Sequence, residues 1–519
     1  MPAVDQTPQQ RPDDAPQPEL LESGGGGPIT PEARAGRRRA GVVAGLGVLG
    51  LGLVGGAAFG AYWYLADGAQ AAEAFPADSV GYVGLTLDPS GQQKLAALET
   101  LQELPTLAEE LDLEGPVDEI DVKRSIAEAV LADAPCDIDY AGDVEPWLGE
   151  RFGVAAVPAG EALPSMVFAV EVTDAEAADA GLRALLSCDG GDAESLAGWV
   201  VEGDWMVVAE TPEIAEGVVD AAAEGSLADD DDFQRWTGEA GDEGVLTAYA
   251  APEALGVLAD LGSEFFGGEL PGADELVELD DAVEDFEGMA AVLRFGEGSV
   301  EVEAAGAAGD QTDVLGGGAG ELVSGLPDDT ALAAAAGLVE GWTEGLEEET
   351  ASLPFDVEAL LGDVAALAVG PDLDPDALLG AFFAGDLSRV PVALVTGGEL
   401  GDAEQALAEA GPLAASLEAR QAGDRVLVGP TGAWLDAVEA GGTLGDTDLF
   451  SAVVPDVDGA QSVFFLDLGV VADLVGDEVA ASGTGDDDVL ADLQQLGAVG
   501  ASARVDDDVA RAVLRLTLR

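Results

Sequence analysis

The chain has 519 residues, of which 103 are acidic and 19 basic, and its net charge at pH 7 is −84. Such a charge excludes nucleic acid, itself a polyanion, as a partner. The chain contains no histidine, which excludes Ser-His-Asp and Cys-His nucleophile systems and HExxH zinc sites. Because 48% of the residues are hydrophobic, we predict a folded protein with an acidic surface rather than a disordered acidic chain. Salt adaptation and a Gly- and Ala-rich genome both explain this composition, and the sequence leaves the choice open.

The N-terminal region predicts a membrane anchor. Residues 1–39 are rich in Pro, Gln and Gly and predict a disordered cytoplasmic tail that ends in three arginines. Residues 40–66 carry no charge, and a helix of that length rises about 40 Å, enough to cross a hydrocarbon core of about 30 Å. The arginines orient this helix by the positive-inside rule. We therefore predict one transmembrane helix at residues 40–66, a spacer at 67–74 and an extracytoplasmic remainder.

Other interpretations of the apolar segment are weaker. Residues 45–50 spell G-x-G-x-x-G, but a dinucleotide site needs a preceding strand and a βαβ unit, and arginines stand there instead. The A-x-A sequence at residues 69–71 would suit a cleaved signal peptide, yet the apolar segment is much longer than the usual 7–15 residues. Glycines at small-xxx-small spacing would let two anchors dimerise, although a Gly-rich chain shows them by composition alone. These glycines are Gly41, Gly45, Gly52, Gly56 and Gly60.

The remainder repeats itself. FPADSV at residues 75–80 corresponds to LPDDTA at 326–331, and GDWMVVAETPEIAEGVVDAA corresponds to GDRVLVGPTGAWLDAVEAG. Each copy ends in a predicted hairpin, AAVLRFGEGSVEVEAAG in the first and GASARVDDDVARAVLRLTLR in the second. We predict a tandem duplication with repeats at residues 75–315 and 321–519. Each repeat is expected to be an α+β lobe of mostly antiparallel sheet, with helices packed on one face.

Three short segments carry a resemblance to a known family. They are PADSV at residues 76–80, LDPSG at 87–91 and PWLGE at 146–150. The chain resembles an actinobacterial family of membrane-anchored proteins, domain of unknown function 3352, and the Pro-Trp-Leu-Gly element is its most specific part. The second copy keeps only Leu-Gly-acid at residues 361–363. The resemblance implies a single anchor and a cell-envelope location, but no activity and no catalytic residues.

The candidate chemical groups are few. Cys136 and Cys188 are the two cysteines, and outside the cytoplasm they are expected to pair as a disulfide, with two buried free thiols as the alternative. The D-x-D-x-D run at residues 372–376 begins like a calcium loop, but Ala377 replaces the required glycine and Phe383 the bidentate glutamate. Other acidic runs predict at most weak, non-specific calcium binding. No residue is singled out as catalytic, and no resident cofactor is expected.

These observations favour a binding protein over an enzyme. Two lobes on a tether would create a cleft, and ligand pockets concentrate at domain interfaces. The leading hypothesis is an extracytoplasmic module that binds a solute or lipid. The alternative is a structural, envelope-organising protein whose partner is another envelope component. A hydrolase that uses two carboxylates is a distant third, because such a pair can act in glycoside hydrolysis but nothing in the sequence selects one.

Overall fold

The computed structural model describes most of the chain beyond residue 68. The described residues are 69–87, 91–111, 113, 115–116, 120–132, 138–159, 162–187, 193, 196–257, 286–309, 314–343, 355–374, 377, 380–381, 386–410, 414, 416–430, 432–482, 487–506 and 508–519. The predicted tail and the predicted span at residues 40–66 lie outside them. Within the described part, none of the helices has the length and apolar character needed to cross a membrane.

The strands of the described residues are short and apolar, as the hairpin patterns predict. Their bounds are β1 Gly81–Thr86, β2 Leu148–Ala159, β3 Ala162–Val172, β4 Gly198–Glu202, β5 Trp205–Ala209, β6 Leu246–Ala250, β7 Met289–Gly296, β8 Ser299–Ala307, β9 Leu315–Gly316, β10 Leu332–Leu338, β11 Val364–Val369, β12 Val392–Thr396, β13 Leu417–Ala422, β14 Arg425–Pro430, β15 Ser462–Asp467, β16 Leu496–Asp506 and β17 Val509–Leu518.

The helices are mostly amphipathic, and several begin at side-chain caps. Their bounds are α1 Gly91–Gln102, α2 Pro105–Glu110, α3 Val122–Ala132, α4 Ala175–Leu186, α5 Pro212–Glu224, α6 Asp231–Glu239, α7 Ala319–Ser324, α8 Val357–Leu361, α9 Leu400–Ala410, α10 Ala433–Ala440, α11 Asp448–Val453, α12 Leu468–Ser482 and α13 Asp487–Gln495. Asp174 caps α4 and Thr211 caps α5, where Pro212 opens the first turn. Short 3₁₀ helices at Ala69–Ala74, Leu227–Asp229 and Leu444–Asp446 connect these elements.

All the strands belong to one antiparallel sheet. From edge to edge, the pairings give the order β4-β5-β3-β2-β1-β6-β7-β8-β17-β16-β15-β10-β11-β12-β14-β13, and β9 adds to the end of β10. The first eight strands come from the first half of the chain and the last eight from the second. The closing hairpins β7–β8 and β16–β17 meet in the middle, where Ser299–Ala307 pairs with Val509–Thr517. We call this β8–β17 pairing the seam.

The two halves have the same strand order when read outward from the seam. Their opening turns match in detail as well. The Ser79 hydroxyl donates to the Pro76 carbonyl at 2.7 Å, and the Thr330 hydroxyl donates to the Pro327 carbonyl at the same distance. The two halves of the sheet therefore repeat the same arrangement of strands and the same opening turn.

The sheet has two faces, and each carries its own apolar clusters. On the first face, side chains such as Tyr82, Val207 and Phe465 form the two large cores, covered by α5 and α6 in one half and by α7, α10 and α11 in the other. On the second face, Met206 and Val428 belong to two smaller cores beneath α4 and α9. The expectation of helices on one face is therefore wrong. Strands such as β3 are apolar at successive positions, so both of their faces need cover.

Two further expectations need correction. The halves are not lobes separated by a cleft, because the seam joins them into one sheet through a continuous ladder of hydrogen bonds. The predicted spacer is not free either. Residues Ala69–Ala74 form a 3₁₀ helix whose Ala71 and Ala72 are fully buried in the first core. The sequence AQAAEA has no apolar periodicity to distinguish it from a linker.

Candidate functional site

The second face of the sheet carries an unbroken apolar row, which we call the long row. Its members stand directly opposite one another on twelve neighbouring strands, and none is polar. They are Ala419, Val428, Leu394, Leu367, Ala334, Phe464, Ala501, Leu514, Val302, Leu293, Leu246 and Leu85. At a strand spacing of about 4.8 Å the row is roughly 50 Å long, and it passes straight through the seam.

The rows on either side of the long row are also apolar or small. Two residues along the strands in one direction, a row of eight apolar side chains runs through Val392, Val369, Leu332, Leu466, Val499, Leu516, Val300 and Phe295. In the other direction the row is made of small residues: Ala365, Ala336, Ser462, Ala503, Ala512, Ala304, Ala291 and Ala248, ending at Val83. Together the three rows form an apolar band across the sheet.

Helices cover the middle of this band. On β7 and β8 the first face is already occupied by α6, so α1, which also contacts β7, lies over the second face. In the same way α11 packs on the first face of β16, which places α12 and α13 over the second. Helices from the two halves touch there, since the Thr106 N–H at the start of α2 donates to the Asp492 carboxylate at 3.0 Å. The helices that cover the second face therefore contact one another across the seam.

Away from the middle, large apolar side chains of the second face are exposed to solvent. Met166 and Phe168 on β3 are 51% and 38% exposed, and Leu367 on β11 is 40% exposed. Phe168 stands opposite Val154 on one side and Val208 on the other, so it is continuous with half-buried apolar neighbours. Exposed apolar patches of this kind mark interaction sites more often than isolated surface hydrophobes do.

The seam is charged on the first face. Arg294 contacts Glu303 at 2.6 Å, Arg515 pairs with Glu301, and Arg511 of the second half pairs with Glu239 on α6 of the first. Burial raises the pKa of the Glu303 carboxyl above its ordinary value, although the positive charge of Arg294 opposes this shift. The adjoining recess, lined by side chains including Glu303, Ser502 and Arg504, has a volume of about 20 Å³, room for a single water molecule. This recess is therefore too small for a solute or a lipid chain.

A larger recess of about 430 Å³ lies in the second half. Its lining includes Glu340, Asp356, Glu358 and Asp363. The Glu358 carboxylate accepts hydrogen bonds from the Gly341 N–H and the Thr343 hydroxyl at 2.8 and 2.7 Å. These bonds give the carboxylate a structural role within the protein. Across the described residues, no group of three or more acidic, histidine or cysteine side chains is close enough to hold a metal ion.

Within the described part of the chain, the structure does not bring together the residues that the sequence analysis singled out. Cys136 and Cys188 both lie outside the described residues, so the disulfide stays a prediction. In the acidic run at residues 372–376, Asp374 forms an ion pair with Arg389. The Pro-Trp-Leu-Gly element is structural: Trp147 is buried, and its indole N–H donates to the Asp143 carbonyl at 2.7 Å. The apolar band was not predicted, because which strands pair and in what register is not local information.

Comparison with known proteins adds a family but no named relative. A family model described as "Protein of unknown function (DUF3352)" matches residues 46–376, more than half of the chain. The chain belongs to this family. The match begins inside the predicted span and ends in the second half, beyond β11, so it includes the Pro-Trp-Leu-Gly element and the start of the second repeat. No curated protein and no solved structure matches the chain.

Proposed function

We propose that this protein is a membrane-anchored, extracytoplasmic binding module whose ligand is the hydrocarbon chain of a lipid, held against the second face of the sheet. The long row carries this proposal. A row of side chains with no polar member over twelve strands offers no directional hydrogen bonds to a sugar, an amino acid or a peptide backbone. A hydrocarbon chain needs none.

The energetics agree with this choice. Burying a methylene group contributes about 0.8 kcal/mol, so ten of them contribute about 8 kcal/mol, enough to offset a large part of the cost of association. Exposed apolar side chains of the second face give a chain access without unfolding the core: Leu367 lies within the long row, and Met166 and Phe168 lie on β3, two strands beyond β1. The strongly acidic surface disfavours anionic ligands, which leaves uncharged or zwitterionic lipids.

The anchor and the location are parts of the same proposal. They rest on the uncharged stretch at residues 40–66 behind three arginines, and residues 46–66 of this stretch fall inside the family match. The glycine face of the anchor remains a candidate for homodimerisation. The matching strand orders of the two halves support a tandem duplication, with the seam as the joint between the copies. The module needs no cofactor and performs no catalysis.

Photo-crosslinking of the full chain in its own host tests the ligand. Cells are fed a palmitate that carries a diazirine and an alkyne, irradiated, and the modified peptides are mapped by mass spectrometry. We expect crosslinks on β3 and β11. Phe168→Asp and Leu367→Asp place a charge on exposed apolar positions of the second face and should each lower the crosslinking there about tenfold.

The matched control is Leu196→Asp. Leu196 is an exposed leucine in the turn before β4 and not on the second face of a strand, so the same substitution should leave crosslinking unchanged. Crosslinks confined to residues 40–66 would contradict lipid binding by the sheet.

The alternative is a structural, envelope-organising protein. It is favoured by the two end strands, β4 and β13, each of which pairs on one side only among the described residues. An open strand edge is a template for pairing with another chain. Crosslinking to an envelope protein, with no lipid adduct on the sheet, would support it.

A further inference from the structure

The chain is part of the folded core from Ala71 onward. Ala71 and Ala72, in the first 3₁₀ helix, are fully buried, and the Phe75 N–H donates to the Ala72 carbonyl at 3.3 Å. Strand β2 has a glycine where this helix packs. A Cβ atom at Gly153 would lie 3.1 Å from the Ala71 side chain and 2.7 Å from the Phe75 ring. The close approach of strand and helix therefore depends on that glycine.

The second half contains the same feature. Its opening helix, α7, is also buried, and Leu326 follows it as Phe75 follows Ala69–Ala74. The Leu227 N–H donates to the Phe75 carbonyl at 2.8 Å, and the Leu444 N–H donates to the Leu326 carbonyl at 3.1 Å. A helix that recurs in both halves with the same partners belongs to the folded unit and is not a linker.

This placement leaves almost no tether, and the following inference rests on the anchor proposed above. Tyr62, Trp63 and Tyr64 stand near the end of the predicted span, and aromatic residues are typical of the membrane interface. Tyr64 precedes Ala69 by five residues. Five residues of fully extended chain span at most about 18 Å. The first buried helix must therefore lie within that distance of the bilayer's head-group level.

We infer that the edge of the domain around Ala69–Ala74 rests against the outer bilayer surface, and that the anchor is retained. The loop beside this helix is fixed to it, since the Ala77 N–H donates to the Gly225 carbonyl at 3.0 Å and Pro76 forms a bridge with Ser226. That loop continues into four consecutive aspartates at residues 229–232. The surface that meets the membrane is thus acidic, and it fits uncharged or zwitterionic head groups better than anionic ones.

The same placement opposes signal-peptide cleavage. The A-x-A sequence at residues 69–71 would direct cleavage after Ala71, and the product would begin at Ala72. Such a product would lack a fully buried residue and half of the first helix. The intact mass of the protein isolated from its host should therefore include residues 1–71. A mature chain that begins at Ala72 would overturn the inference.

Fluorescence quenching in vesicles measures the distance directly. The full chain carries Cys136→Ser, Cys188→Ser and Glu73→Cys, since Glu73 is an exposed position on the first helix. A fluorophore is attached to the new cysteine, and the labelled protein is reconstituted into phosphatidylcholine vesicles. A fraction of the lipids carries a nitroxide quencher on the head group. We expect strong quenching. Inserting twenty Gly and Ser residues between Asp67 and Gly68 should reduce the quenching several-fold.

A matched probe at Asp424 serves as the control. Asp424 lies in the exposed turn between β13 and β14, about ten strands or roughly 50 Å from β1 across the sheet, and should not be quenched. A Glu73→Cys probe that is unquenched on a chain that floats with the vesicles would overturn the inference. A chain that does not float at all would instead contradict the proposed anchor.

Discussion

At the scale of single residues, the Pro-Trp-Leu-Gly element packs against a glycine on a neighbouring helix. A Cβ atom on Gly181 in α4 would lie 2.3 Å from the Trp147 indole nitrogen, inside contact distance. The Trp147 ring is buried and tied by its N–H to the Asp143 carbonyl, so it has little freedom to move. The tryptophan and the glycine are therefore one packing unit, although 34 positions separate them in the sequence.

Replacing this glycine should destabilise the protein. Gly181→Ala forces α4 away from Trp147, and overpacking of this kind costs about 1–3 kcal/mol of unfolding free energy. Gly217→Ala in α5 is the matched control. Nothing lies within 4 Å of its added Cβ, so helix propensity should make it neutral or stabilising by up to about 1 kcal/mol. Denaturant unfolding of both variants measures the difference. Equal effects would show that the Trp147–Gly181 contact is loose.

At the scale of elements, the sequence predicts what is local and misses what is not. The closing hairpins are readable, because alternation and a tight turn are encoded within about twenty residues, and both appear as β7–β8 and β16–β17. The β8–β17 pairing of the seam could not be predicted from the sequence, since any apolar edge strand could pair with β8. The apolar band depends on the registers of a dozen strands. The first helix was missed because alanine-rich sequence suits a linker and a buried helix equally.

The seam predicts a pH effect at Glu303. The raised pKa of Glu303 means that the fold favours its protonated form. This contribution to stability is present below the ordinary pKa of 4.5 and is lost as the pH rises through the raised pKa. Glu303→Gln should therefore maintain or raise the unfolding free energy at pH 7. It should also flatten the pH dependence above about pH 4.5.

Glu301 is the matched control for this effect. It lies between Arg294 and Arg515, so Glu301→Gln removes a partner from both and should lower the unfolding free energy at pH 7 by about 1–3 kcal/mol. Denaturant titrations at pH 4 and pH 7 separate the two variants. Equal destabilisation by both at pH 7 would show that the ion pair of Glu303 outweighs its desolvation.

At the scale of the whole molecule, charge opposes folding. A net charge of −84 destabilises the compact state through self-repulsion, and three of the few arginines, Arg294, Arg511 and Arg515, form ion pairs with glutamates around the seam. Salt shortens the Debye length from about 10 Å at 0.1 M to about 3 Å at 1 M, which screens exposed acids more than the half-buried ion pairs of the seam. The melting temperature of the purified chain should therefore rise by several degrees between 0.05 and 1 M NaCl.

Calcium should act more strongly than sodium at equal ionic strength, because a divalent ion can bridge neighbouring carboxylates in acidic runs such as residues 229–232. The described residues hold no preformed metal cluster, so the calcium effect should require millimolar concentrations and disappear when EDTA is added. Thermal melts with NaCl, KCl and CaCl₂ separate screening from bridging, since the two monovalent salts should agree with each other. A melting temperature that is flat across all three titrations would mean that the fold already neutralises its acids, and the self-repulsion argument would fail.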